Sequence, residues 1–364
     1  MASGEVGVGL VGSGFIGQAH AEAFALTPLA SVRAVASRSP GRAAAFAAQW
    51  GIPAWFADYR ELVARPDVDL VSVAAPNHLH RDIVVAAATA GKHVICEKPL
   101  ARTLREADEM IAACHGAGVK LMYAEDICFA PKYVRAKDLA DEGALGDVYL
   151  VRQTEQHYGP HSDWFWDPDL AGGGVLMDMG CHGIEFARWV HGKPAARSVS
   201  AEVGTFVHGR RTRAEDHAII TIRFDGDRVG LVEASWAKPG GMDDRAEIVG
   251  SRGVTYADLV RGSSLATFSD VGYGYAVEKA PDTRGWTFTM SDELWNGGFP
   301  QEMDHFVRCV AEDAVPRETG EDGRAVLEII YAAYRAARVG RVKLPLKLTD
   351  AEAAQPPFAQ LDPG

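Results

Sequence analysis

VGLVGSGFIGQAHAEAF (residues 8–24) joins an apolar, strand-like run to a helical pattern through Gly12, Gly14 and Gly17. A GxGxxG triplet is a weak signal alone. It becomes informative where it leaves a strand and opens a helix inside a βαβ unit. Each glycine then has a separate steric role. Gly12 makes the tight turn, Gly14 lets a pyrophosphate approach the backbone, and Gly17 lets helix and strand pack closely. The helix start offers free N–H groups and the positive end of its dipole to phosphates. The stretch therefore predicts dinucleotide binding by Gly12, Gly14, Phe15, Ile16 and Gly17, against the plainer account of a tight turn without a ligand.

Outward from this loop, the apolar runs 6–12, 31–37, 69–76, 92–99 and 119–125 alternate with helical stretches. Such alternation predicts a doubly wound parallel sheet over residues 1–126, an α/β Rossmann domain. After about residue 147 the texture changes to long strands with turn signals (147–159, 196–207, 217–224, 229–236, 246–258), and DGDR at 225–228 reads as a hairpin turn. Residues 127–350 are expected to form an α+β domain with a large, mostly antiparallel open sheet, a helix over 173–192 and two late helices. Residues 351–364 read as a weakly structured tail.

Composition bounds the rest. The 364 residues carry a net charge of −12, with 47% hydrophobic and 24% charged residues. This suits a soluble globular protein and lacks the basic footprint of a nucleic-acid surface. Five scattered cysteines without a CxxC pair fit a reducing cytoplasm and argue against disulfides or structural zinc. No leader-like n-region and no long apolar segment is found, so no membrane association is expected.

The fingerprint's second half is missing. The acid expected for the ribose hydroxyls is replaced by Ser37-Arg38, and the next acid is Asp58. A guanidinium grips a phosphate bidentately, so NADP(H) is favoured over NAD(H); the alternative is that Arg38 lies along the adenine and serves either cofactor. Ligands of open parallel sheets bind beyond the carboxyl ends of strands. Glu97 and Lys98, which end KHVICEKP, therefore project toward the nicotinamide, flanked by Ala75, Pro76, Asn77, His78 and His80 of the preceding loop. Ordinary helix capping by Asn77 competes with that reading.

GGGVLMDMGCHGIEFARWV (172–190) places Asp178 and His182 four apart on a helical pattern built for burial. An acid beside an imidazole suits proton transfer, although a satisfied structural pair or a metal pair has the same spacing. Upstream, HYGPHSDWFWDPDL (157–170) offers His157, His161 and Asp163 for hydroxyls and Trp164 and Trp166 for a sugar face, or simply core packing. His157, His161, Asp178 and His182 lack a ligand spacing on one element, so no metal is expected.

Together GSGFIG, ICEKPLA, GALGDV and AGGGVLMDMGCHGIEFARWV resemble the Gfo/Idh/MocA oxidoreductases, relatives of glucose–fructose oxidoreductase and inositol dehydrogenase, over residues 6 to about 340. The resemblance implies NAD(P)-dependent hydride transfer at a sugar or cyclitol carbon, with Lys98, Asp178 and His182 as the catalytic group and a cis Lys98-Pro99 bond. It also implies a homodimer or homotetramer built on the open sheet. The sequence departs from the family at Glu185, where Asp is common, and at Glu125-Asp126, where Asn is frequent; contacts of Asp126 with the nicotinamide amide rest on that position. A glycosidase that recycles its dinucleotide, and a non-catalytic sensor, are the alternatives on the same scaffold.

Overall fold

Six strands of the N-terminal region form one parallel sheet in the order β3-β2-β1-β4-β5-β6. They are β1 (Val6–Val11), β2 (Ala30–Ala36), β3 (Trp55–Phe56), β4 (Leu70–Val73), β5 (His93–Glu97) and β6 (Leu121–Ala124). The computed structural model describes residues 4–260, 265–269, 282–289 and 292–361. All of β1, β4 and β6 is buried, which is why these strands read as unbroken apolar runs. The two-residue β3 carries no periodicity and has no counterpart in the sequence pattern. Strand order reverses at β1 and β4, the switch point where such sheets bind ligands.

The chain forms two compact units, 1–126 with 298–325, and 127–297 with 326–364. The first unit thus includes a segment that the sequence division leaves within 127–350. Helix Phe299–Ala311 packs on helix Phe15–Ala25 and on β1. Thr319 forms an antiparallel bridge with Met122 of β6. An amphipathic pattern shows that a helix has an apolar face, not which core receives it.

In the second unit a seven-stranded sheet runs β12-β11-β7-β10-β9-β8-β15. Its strands are β7 (Val148–Gln156), β8 (Ala196–Gly204), β9 (His217–Phe224), β10 (Val229–Ser235), β11 (Asp243–Gly250), β12 (Val254–Asp258) and β15 (Val342–Lys343). A separate antiparallel pair comprises β13 (Leu265–Ser269) and β14 (Gly285–Thr289). Only β7 and β10 pair in parallel among the strands of the large sheet. The β9–β10 hairpin closes through Gly226 (φ 76°) and Asp227 (φ 57°), the two positive-φ positions the DGDR turn demands. Residues 246–258, which read as one strand, are a hairpin in which the amide of Gly250 donates to the carbonyl of Gly253 at 2.8 Å.

Helix Gly180–Val190 covers one sheet face. A Cβ on Gly183 would stand 2.4 Å from Gln153 Oε1 and 2.5 Å from Val232, so only glycine lets the helix sit this close to β7 and β10. The described part of the C-terminal tail makes specific contacts. Thr349 and Glu352 form a reciprocal capping box on Asp350–Ala353, Arg335 reaches Glu352 and Gln360, and the Phe358 ring stands edge-on to Tyr334.

Candidate active site

On the first unit the glycine loop has the anatomy its sequence demands. Gly12 adopts φ +128°, and a Cβ there would lie 2.0 Å from the carbonyl oxygen of Ala74. A Cβ on Gly17 would lie 2.6 Å from the oxygen of Gly12, so this glycine allows the helix its close seat. Gly14 differs: a Cβ on it would meet nothing within 4 Å. Gly14 is also the N-cap of helix Phe15–Ala25 and provides no side-chain cap. Open space at an uncapped helix start, with orphan N–H groups, fits a pyrophosphate. Phe15 is exposed and Ile16 half-buried at that start.

At the end of β2, Ser37 Oγ accepts from Ser13 Oγ at 2.8 Å, a contact that sequence spacing does not reveal. Arg38 is exposed and forms no hydrogen bond or ion pair among the described residues. Asp58 is spent as the N-cap of Tyr59–Val63, where its side chain accepts from the Arg60 amide at 2.9 Å.

In the next loop, Asn77 is buried and opens a short 3-10 turn, while the N-cap position of helix His80–Thr89 is held by Leu79. His78 is half-buried, and burial pushes its pKa down. His80, an expected cofactor neighbour, also has a structural place in this loop. This ring is fully buried, with Nε2 2.8 Å from the carbonyl of Ala75 and Nδ1 3.1 Å from that of Pro99 and 3.2 Å from that of Leu100. Both nitrogens face backbone oxygens, so His80 ties the Ala75-Pro76 loop to the segment after Lys98. Glu97 Oε1 meets His20 Nε2 at 2.8 Å, and its Oε2 accepts from the Lys98 amide at 3.1 Å. Lys98 is half-buried, and its bond to Pro99 is cis. Asp126 is half-buried at the start of the 3-10 turn Asp126–Cys128, and Glu125 is fully buried.

On the second unit the helix expected over 173–192 is broken. Met179 (φ −116°, ψ −33°) separates Val175–Asp178 from Gly180–Val190, so Asp178 ends one segment and His182 lies in the first turn of the next. Both are buried. Asp178 Oδ2 accepts from Trp236 Nε1 at 3.0 Å, and the Trp236 side chain is itself wholly buried. Sequence spacing could not supply this partner, which lies 58 residues away.

The glycine triplet serves this half-site from beneath. A Cβ on Gly173 would lie 2.3 Å from Tyr334 Oη, and one on Gly174 would lie 2.1 Å from the Glu215 carbonyl oxygen. Glu215 Oε1 accepts from the Leu176 amide (2.9 Å) and Tyr334 Oη (2.8 Å), and the Gly174 amide donates to Tyr334 Oη at 3.1 Å. Glu215 and Tyr334 thereby cap the helix that ends in Asp178. Burial pushes the Glu215 carboxyl up to about 7, against the pull of these hydrogen bonds. The folded protein then binds this proton more tightly than the unfolded chain, so stability falls as pH rises from the ordinary carboxylate value to about 7. Glu215→Gln is expected to remove a pH-dependent loss of up to about 3 kcal/mol across that window. Thermal melts of both proteins between acid and neutral pH check this, and parallel curves would contradict it.

Glu185 is buried and ion-paired with Arg188, with Lys193 Nζ 3.5 Å from Oε1. In the upstream segment, His157 is buried with its ring 5.3 Å from that of the exposed His161. The Asp163 side chain is almost fully exposed, 3.2 Å from Arg211. Trp166 has one face under the Arg211 guanidinium, 4.3 Å from the ring centroid, and packs on Trp236; Trp164 stacks on Phe165 at 3.7 Å. These rings are mutually packed, which narrows the surface either indole offers to a sugar.

Similarity to known proteins extends over both units. Residues 6–125 match the model of an oxidoreductase family with an NAD-binding Rossmann fold, and residues 133–256 match the GFO/IDH/MocA C-terminal domain. The myo-inositol 2-dehydrogenase of Thermotoga maritima is 28% identical over 93% of this chain and 98% of its own. The D-xylose 1-dehydrogenase (NADP(+)) 2 of Haloferax volcanii is 33% identical over 84% and 90%. Among solved structures, GenD2 from gentamicin A biosynthesis, in complex with NAD, superposes with a TM-score of 0.88 at 34% identity, covering 94% of this chain and 97% of that one.

Proposed function

This chain belongs to the Gfo/Idh/MocA oxidoreductase family, and from that premise we propose how its residues divide the work. It is an NAD(P)-dependent oxidoreductase that moves a hydride between nicotinamide and a secondary alcohol or ketone carbon of a sugar, sugar derivative or cyclitol. The observation that carries this reading is the open, uncapped helix start at Gly14, framed by Gly12 and Gly17. Bound dinucleotide supplies the hydride chemistry; the protein supplies position, a base and charge stabilisation.

In oxidation, His182 takes the hydroxyl proton, and in reduction it returns it. Lys98 stabilises the alkoxide oxygen with its ammonium group. Asp178, fixed by Trp236, orients the imidazole or holds a neighbouring hydroxyl. Asn77, Asp126, His157, Asp163, Trp164 and Trp166 are proposed ligand contacts of lower rank, because packing or ion pairing already occupies several of them.

Arg38, exposed beside Ser37, favours NADP(H) through the 2′-phosphate. Arg38→Ala is expected to cut kcat/KM for NADP⁺ by roughly 10–100-fold, equivalent to a charge-assisted hydrogen bond of about 1.5–3 kcal/mol, while NAD⁺ is little affected. Equal losses with both would place Arg38 on the adenine instead. The test of the whole reading is a screen of inositols and sugars with each cofactor, scored by net formation of reduced nicotinamide. Release of a leaving group without net reduction would transfer the chain to the glycosidases.

The sheet face opposite helix Gly180–Val190 carries Leu150, Leu231, Val249, exposed Ile219 and Tyr256, and the Arg152–Glu247 ion pair. That face supports a homodimer or homotetramer. No helix among the described residues is long and apolar enough to cross a membrane. Five buried free thiols support a reducing cytoplasm.

A further inference from the structure

Three elements of the first unit converge on a buried polar chain that hydride transfer does not itself require. His20, on helix Phe15–Ala25, places Nδ1 2.7 Å from Ser72 Oγ of β4 and Nε2 2.8 Å from Glu97 Oε1 at the end of β5. The other Glu97 oxygen accepts from the backbone amide of Lys98 at 3.1 Å. His20 and Ser72 are wholly buried and Glu97 almost so. Buried ion pairs contribute little stability over apolar packing of similar volume, so fold stability alone is a weak account of this chain.

The surroundings fix the charge on Glu97. Burial, the largest influence, raises its pKa, but the His20 hydrogen bond and the charges of His20 and Lys98 hold it below the ordinary value. The other groups that face it are His80, Cys96 and, from helix Phe299–Ala311, Glu302. Glu302 is fully buried, and neither of its oxygens has a hydrogen-bond partner among the described residues. Burial raises its pKa well above the ordinary value, and the charges of Asp126, Glu97, Glu125 and Glu318 push it the same way.

We propose that Ser72, His20 and Glu97 form a positioning relay for Lys98: His20 holds Glu97 as a carboxylate, and Glu97 fixes the Lys98 amide and keeps the lysine ammonium charged. His20 is a positioning residue, since it acts through Glu97. The proposal rests on the reading of Lys98 as the alkoxide stabiliser, so Lys98→Met comes first. Undiminished turnover in that variant removes the reading of Lys98, and the relay with it.

Once Lys98→Met has lost turnover, the relay stands or falls on the kcat–pH profile. His20→Ala is expected to lower kcat roughly tenfold and to move the alkaline limb down by about one pH unit, because the lysine loses its proton sooner. Cofactor affinity by fluorescence titration stays near that of the parent. His20→Gln, whose amide can donate to Glu97 and accept from Ser72, restores most of both effects. Glu97→Gln shifts the limb in the same direction and gives the measurement if His20→Ala does not fold. An alkaline limb unmoved in these variants, or one that His20→Gln leaves as displaced as His20→Ala does, overturns the relay.

Discussion

Replacing His182 by alanine is expected to lower kcat by about 10²–10⁴, the usual worth of a general acid–base group, while the affinity for dinucleotide stays unchanged. The imidazole sits in the first turn of helix Gly180–Val190, buried and held at a fixed distance from the sheet by the glycine contact at position 183. Removing it would delete the proposed proton acceptor, and the glycine loop proposed to bind phosphate keeps its sequence. Two readouts separate this from general damage. The binding isotherm for NAD(P)⁺ should overlay that of the parent, and the acid limb of the oxidation rate, which reports protonation of the base, should flatten. Undiminished turnover would remove His182 from the mechanism.

A second large effect is expected at the glycine loop, where two neighbouring substitutions should fail in different ways. Gly12→Ala must place a Cβ 2.0 Å from a backbone oxygen at φ +128°. Strain at such a position costs of order 1–3 kcal/mol before the overlap is counted. The turn therefore has to move, lowering Tm and weakening cofactor binding by roughly 100-fold or more. Gly14→Ala meets no protein atom within 4 Å and adopts an ordinary φ of −86°, so Tm should hold. Its methyl group instead enters the space assigned to the pyrophosphate, and affinity alone should fall. Parental affinity in Gly14→Ala would refute the phosphate reading of that space.

The Rossmann sheet was legible because its signals are local. Buried parallel strands are continuous apolar runs, and the βα turn at Gly12 is a steric demand written in consecutive residues. The family motifs were legible for the same reason. Less so was the late segment 298–325, whose helix shows an apolar face but not the core it joins. The break at Met179 was invisible because Leu176, Met177 and Met179 keep a helical pattern through it. The carbonyls around the His80 ring were not legible either, because Ala75, Pro99 and Leu100 form that set only when two loops pack.

By itself the sequence determined the parallel sheet, the glycine loop, the strand-end lysine, and the acid and imidazole of GGGVLMDMGCHG, since each depends on residues within a few positions of one another. Only the tertiary structure decided what holds them. Trp236 fixes Asp178, Glu215 and Tyr334 fill the space that the glycine triplet leaves, and Ser72 and His20 lie behind Glu97. The reason is physical: a buried polar group must find its partner wherever the fold brings one near, and that distance in space has no fixed counterpart along the chain.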